Sequence, residues 1–298
     1  MTRTTRVVGL ASAGMLAALC IADAQGATAP TARTAEDHSS RLARYYDQRP
    51  AWRRCENSSD TPASYQCATI SVPVDYAHPE GRTLRLRISR SRTSAPAKRH
   101  GVLLSNPDGP GNPALGLPLQ LKDALPKGVL QRYDLIGFDP RGLATSSPLR
   151  CGLTQDEVAL NSSQPYRAAT FAHTALARDI AAKCTARSGS QLLPYINTRN
   201  TARDMDVIRG VLGEKELSYV GWSYGSYLGA VYTQLFPRHS DRIVLDSAVD
   251  PNRFGRATTL AMAAGAEPAF EDWSRLIARR DLTYHLGNSP AKVRAAFW

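Results

Sequence analysis

The residues best placed to do chemistry form one short run, Gly221-Trp222-Ser223-Tyr224-Gly225. A serine is a weak nucleophile until a base and a fitting geometry activate it. A sharp turn from a strand into a helix supplies the geometry, and it leaves no room for side chains two residues before or after the serine. The helix N-terminus beneath that turn favours the negative charge that grows as the oxygen attacks. The competing reading is a glycine-rich turn with a capping serine. A second run, Asn106-Pro107-Asp108-Gly109-Pro110-Gly111-Asn112, is dense in glycine and proline. Acyl transfer needs backbone N–H donors around its oxyanion, and the pair indicated here is Gly109 with Tyr224. The chemistry is then acyl transfer to Ser223. No Lys-Ser or Lys-Thr pair follows the glycines, which argues against phosphate binding.

These runs require strands ahead of them and a helix behind Ser223. Thr83 to Ser89 alternates apolar and polar, which fits a strand with one buried face. Val102-Leu103-Leu104, Tyr133 to Phe138, Leu217 to Val220 and Ile243-Val244-Leu245 are short apolar runs that suit strands covered on both faces. Ala202, Met205, Ile208 and Val211 or Leu212 recur at helical spacing, and Gly213 stands as the stop. Tyr227, Ala230, Val231 and Leu235 continue in the same way until Pro237. Strands alternating with helices predict an α/β fold with a mainly parallel, doubly covered sheet. Beyond Pro251 the alternation stops and Leu260 to Leu286 is helix-prone. Residues 41–250 therefore read as the core, and 251–298 as the start of a helical cap.

The 298-residue chain carries a formal charge of +11, with its basic residues spread out rather than clustered. No basic run alternates with aromatics and no zinc spacing occurs, so nucleic acid is not an expected partner. No metal or organic cofactor signal is present. Arg3 and Arg6, then the apolar stretch from Val7 to Ile21, then Ala22-Asp23-Ala24, read as a signal peptide. A second cleavage site lies around Ala27-Thr28-Ala29, so removal is expected near 24 or 29, with 25–40 as a linker. The apolar run is short for a membrane span, so no stable anchor remains after cleavage and the protein is expected to be secreted. Loss of the leader removes Cys20 and leaves Cys55, Cys67, Cys151 and Cys184. An even number in an exported chain argues for disulfides, with sequence-local pairing preferred among three connectivities and buried free thiols as the alternative.

Several motifs recur together in order. Trp52, Cys55 and Cys67-Ala68 precede Val72-Pro73-Val74-Asp75-Tyr76; then come the loop at 106–111, Asp139-Pro140-Arg141-Gly142, Ser147-Pro148 and Cys151. Arg203-Asp204-Met205-Asp206, Ile208-Arg209, Trp222-Ser223-Tyr224-Gly225-Ser226, Phe236-Pro237, Val244-Leu245-Asp246 and Val249-Asp250-Pro251 follow. This series resembles the secreted tripeptidyl-aminopeptidase-type hydrolases of actinomycete bacteria, relatives of the proline iminopeptidases. The resemblance implies an α/β-hydrolase fold and cleavage of short peptides from a free N-terminus. Two positions depart from the family pattern: Asp108 and Ala144 each stand where glycine is usual. An acid beside an oxyanion hole opposes the charge to be stabilised unless it points to solvent.

A serine nucleophile of this fold is followed in the chain by an acid and then a histidine. After Ser223 the histidines are His239, in the helix-to-strand connection at the wrong end of the sheet, and His285, in the cap region. Asp246 closes a strand at the catalytic end and is the candidate acid, although an aspartate there also caps a turn; Asp250 reads as a turn residue. Glu267, Glu271 and Asp272 lie in the cap region with nothing to tie them to a substrate amine. The expectation is a truncated or frameshifted chain, or a fragment of a longer protein, that lacks the acid and histidine of its triad, has little or no peptidase activity and exposes an unfinished sheet edge. Two other functions compete: an esterase or lipase on the same scaffold, and a binding-only homologue without catalysis.

Overall fold

The computed structural model describes residues 41–55, 62, 64–159, 170–188 and 191–297. The leader and linker expectations fall on 1–40, outside the described residues. The strands are β1 (Arg53–Arg54), β2 (Tyr65–Pro73), β3 (Thr83–Ser91), β4 (Gly101–Asn106), β5 (Tyr133–Phe138), β6 (Leu217–Trp222) and β7 (Ser240–Asp246). The longer helices are α1 (Leu117–Ala124), α2 (Thr170–Ser188), α3 (Thr198–Val211), α4 (Tyr224–Leu235), α5 (Arg256–Ala278) and α6 (Pro290–Phe297).

Among the described residues these strands form a seven-stranded sheet in the order β1-β2-β3-β5-β4-β6-β7. β5, β4, β6 and β7 are mutually parallel. β3 is antiparallel to β5 and β2 to β3, so β2 runs with the parallel set, and only β1 and β3 oppose it. The crossovers are the helical ones that parallel neighbours require.

Period-two alternation places the sheet between two apolar layers. In β4, Leu104 faces Met205 and Ile208 of α3 and Leu228 of α4, while its neighbour Leu103 faces Leu117 and Leu121 of α1. Leu84, Leu86 and Ile88 of β3 are buried and Arg85 between them is exposed, as the alternation predicts. Gly213, at φ +76, follows α3 as its stop.

β7 departs from the expectation for Ile243-Val244-Leu245. It lies at the edge of the sheet, so it is not covered on both faces: Val244 is 54% exposed and Leu245, on the α4 side against Gly229, is 38% exposed. A position next to last in an alternating pattern and one at the edge look alike in sequence, because both need the same apolar residues on the helix-facing side.

A buried ion pair joins the antiparallel end of the sheet to α3. The Arg141 guanidinium meets Asp204 through Nη2–Oδ1 at 2.5 Å and Nε–Oδ2 at 2.7 Å, with both side chains fully buried. Its other N–H groups donate to the carbonyls of Pro73 (3.1 Å), Val74 (3.0 Å) and Tyr195 (3.3 Å), and the Tyr76 hydroxyl donates to Asp204 (2.7 Å). Buried charges are tolerated only when paired and hydrogen-bonded in this way, and removing one partner costs about 3–5 kcal/mol. Two residues earlier, Asp139 accepts from the N–H groups of Ala114 (3.0 Å) and Thr145 (3.1 Å) and from the Thr145 hydroxyl (2.6 Å). The Asp-Pro-Arg-Gly segment is thus a structural junction.

The cysteines pair as Cys55–Cys67 and Cys151–Cys184, twelve and 33 residues apart. Loop closure of these lengths is worth about 3–4 kcal/mol each against the reduced chain.

Ala144 sits at φ +43 on the exposed turn after this junction. A left-handed alanine costs about 1–2 kcal/mol, part of which glycine would recover against its greater entropy when unfolded. Ala144→Gly is expected to raise stability by about 0.5–1 kcal/mol in equilibrium urea unfolding; an unchanged or lowered midpoint would count against a strained turn.

Candidate active site

Ser223 caps α4 from the end of β6 with φ +52 and ψ −116, a conformation rarely adopted by a residue with a side chain. Strain of this kind costs about 1–3 kcal/mol and persists only where the surroundings enforce it. Here they do. A Cβ on Gly225 would lie 2.5 Å from the Asn106 carbonyl oxygen and 2.8 Å from that of Pro107, and one on Gly221 would run into the Gly225 carbonyl and the Tyr219 hydroxyl. Gly225 is therefore required by the close approach of the first turn of α4 to the end of β4, and Gly221 by the fold of that turn back onto β6. The Ser223 N–H donates to the Asp246 carbonyl (3.1 Å), which couples the turn to the end of β7.

Two further groups hold the turn and were not singled out from sequence. The buried Tyr219 hydroxyl donates to the Gly225 carbonyl at 2.8 Å. The Ser226 hydroxyl donates to the Ser223 carbonyl at 2.6 Å and accepts from the Val249 N–H at 2.9 Å. Tyr219 and Ser226 looked like a strand residue and a helix residue, and their roles depend on chain segments brought in by folding.

The contact of Gly225 with Asn106 and Pro107 sets the glycine-proline loop beside the elbow. A cleft of about 340 Å³ opens there, lined by Asp108, Pro110, Gly111, Thr198, Tyr224 and Phe254 among others. Gly109 has φ +129 and its bond to Pro110 is cis. The Tyr224 hydroxyl is within 3.0 Å of Thr198 Oγ1, and burial pushes its pKa up. Phe254 stacks on Tyr227 with centroids 4.5 Å apart, covering this side of α4. Asp108 is exposed and accepts from Asn112 Nδ2 at 2.6 Å.

The remaining candidates are placed as follows. The Asp246 carboxylate, exposed at the end of β7, accepts from the Ser247 hydroxyl at 3.0 Å. Asp250 accepts from the Asn252 N–H at 2.9 Å and pairs with Arg253, as a turn residue does. Among the described residues no histidine hydrogen-bonds Ser223. His78 pairs with Asp75, His100 with Asp241 and His239 with Asp206. His239 stands beyond the far end of the twelve-residue α4, roughly 18 Å from the elbow at 1.5 Å per residue. His285 caps the helix Asp281–Tyr284 in the left-handed region at φ +54. Glu267 and Glu271 pair with Arg294, and Asp272 with Arg275. No group of side chains suited to a metal occurs among the described residues.

Asp206 anchors His239 and much else. It accepts from Tyr46 (2.9 Å), Arg209 (2.7 Å) and Tyr232 (3.3 Å) while almost fully buried. Burial raises its pKa, but Arg209, Tyr46 and His239 outweigh that and hold the carboxyl below its ordinary value.

A serine held at a strand-to-helix turn over a mostly parallel sheet, next to a glycine-rich loop, is the arrangement of the α/β-hydrolase fold. The sequence model of that fold matches residues 109–298, and the chain belongs to this family. It is 41% identical over 251 residues to the tripeptidyl aminopeptidase of Streptomyces lividans, covering 82% of this chain and 47% of that protein. It is 34% identical over 249 residues to the serine protease Hip1 of Mycobacterium tuberculosis, covering 81% and 47%. It is also 34% identical over 237 residues to carboxylesterase B of the same species, covering 77% and 45%. The chain spans about half the length of these relatives.

Two outcomes test the geometry. Gly225→Ala is expected to destabilise by about 1–3 kcal/mol from overpacking, read as a lowered denaturation midpoint; a neutral effect would mean the elbow has slack. Because the Asp206 pKa is lowered on folding, its contribution is complete above the unfolded value near 4 and is lost as pH falls below it. Asp206→Asn should therefore lower stability at neutral pH and flatten its fall below about pH 4 in acid titrations of the unfolding midpoint.

Proposed function

We propose that this chain is the nucleophile-bearing part of an exported serine hydrolase of the kind that acts on short peptides with free N-termini, with Ser223 as nucleophile. The observation that carries the reading is the Ser223 conformation, φ +52, enforced by two glycines that cannot bear a Cβ. With a base in place, Ser223 Oγ adds to the acyl carbon as its proton passes to that base, which then protonates the amine as the C–N bond breaks and the acyl group stays on the serine. The N–H of Tyr224, at the N-terminus of α4, and that of Gly109 carry the oxyanion role. The peptide substrate follows from the similarity to a tripeptidyl aminopeptidase and a serine protease. Export accords with two disulfides, and no helix among the described residues is long and apolar enough to cross a membrane. We read residues 251–298 as the start of a cap, since α5 leaves the alternating pattern.

In this reading no histidine among the described residues serves Ser223, since His78, His100 and His239 pair with Asp75, Asp241 and Asp206. Asp246, beside Ser223 in the backbone ladder, is the acid if this chain supplies one. An esterase is the second reading, favoured by the similarity to carboxylesterase B, since ester and amide cleavage share the nucleophile and oxyanion donors. A binding-only homologue is the third, favoured by the lack of a histidine bonded to Ser223 among the described residues.

A fluorophosphonate probe at high concentration and long exposure, followed by intact-mass and peptide analysis, is expected to modify Ser223 slowly, since the elbow and oxyanion donors act without a base, and Ser223→Ala should abolish the adduct. A folded chain that stays unlabelled would sink the hydrolase reading. Turnover of a tripeptidyl chromogenic amide should be negligible; steady turnover that Ser223→Ala eliminates would disprove the absence of a working base.

A further inference from the structure

The charges around the cleft beside Tyr224 do not balance. Arg141 contributes to its lining, but that guanidinium is committed to Asp204 and to three backbone carbonyls, so it presents no free positive charge. Asn197, Thr198 and Phe254 supply neutral polar and apolar wall. Asp108 is different. It is exposed, it forms no ion pair among the described residues, and its hydrogen-bond partner is the neutral amide of Asn112. A carboxylate offers about four acceptor sites, and one donor leaves most of them open. The residue before it, Pro107, packs its carbonyl against Gly225 in the first turn after Ser223. The unbalanced charge therefore lines the same cleft as Tyr224, the residue after the nucleophile, on a position where the resembling family carries glycine.

We infer that Asp108 makes this cleft selective for ligands with a cationic nitrogen close to the group presented to Ser223, an inference that rests on reading the cleft as the substrate site. An ammonium of a free peptide N-terminus and a basic side chain share that chemistry. The chain as a whole carries +11, so the average field repels cations and any preference for them must arise locally. Local origin also bounds its size. A solvent-exposed pair is worth little, while a charge-assisted hydrogen bond in a cleft is worth more, so a preference of about three- to tenfold in affinity is expected.

The test uses the chain itself and three probes in isothermal titration: trialanine amide, N-acetyl-trialanine amide, and N-acetyl-Ala-Ala-Lys amide. Expected is a three- to tenfold tighter binding of at least one cationic probe over the acetylated neutral one, lost in Asp108→Asn and reduced by added salt. Asp108→Gly serves as a second variant that removes the charge without an amide. The probe that holds the advantage tells a terminal ammonium from a side chain. Equal affinities, an advantage that survives both substitutions, or no binding of any probe at millimolar concentration would overturn the assignment. Fluorophosphonate labelling of the same preparation separates the two readings. Labelling without cation preference removes only Asp108, whereas cation preference without labelling removes the hydrolase reading and leaves the cleft.

Discussion

Contact without clearance between the first turn of α4 and the C-terminal end of β4 governs this molecule. With no Cβ at 225 the helix backbone comes down onto the Asn106 and Pro107 carbonyls, with none at 221 its first turn folds back onto β6, and Ser223 stands at positive φ. The cost is offset by bonds that only this approach allows: Tyr219 to the Gly225 carbonyl, Ser226 to the Ser223 carbonyl and to Val249, and Ser223 to Asp246. Each bond recruits a different segment. The elbow is thus a place where β4, β6, β7 and the chain after β7 are all set relative to one another.

The acidic side chains of α3 anchor the same construction from behind. Asp204 turns toward Arg141 and the antiparallel strands, and Asp206, two residues on, turns toward Arg209, Tyr46, Tyr232 and His239. Two buried carboxylates on one helix would be costly if unpaired, and each is met by several donors. His239 is consumed here as a structural partner. Its distance from Ser223 and its bond to Asp206 come from one cause, the length of α4.

Much of the site was legible because close packing and turn geometry restrict residue type. Glycines at 221 and 225 about a serine, a glycine-proline loop after a buried strand, and helices ended by Gly213 and Pro237 each have a local reason visible in the sequence. Ala144 was legible as an oddity, and its φ of +43 supplies the reason glycine is usual there. Other features were not legible. Ser226 and Tyr219 carry no mark of their bonds, and Phe254 gives no sign that it stacks on Tyr227. The exposure of Val244 was hidden, since an edge strand and an interior one share a helix-facing side.

What the sequence alone determined is the order of strands and helices, the turn that presents Ser223, and the type of chemistry such a turn serves, because these depend on neighbours within a few residues. What only the tertiary structure decided is which distant groups meet: Arg141 with Asp204, His239 with Asp206, Asp108 with an open cleft wall. Charges and hydroxyls look equivalent along a chain. Their roles are assigned by burial and by the partners that folding delivers, since a polar group withdrawn from water must find its bond wherever the packing puts one.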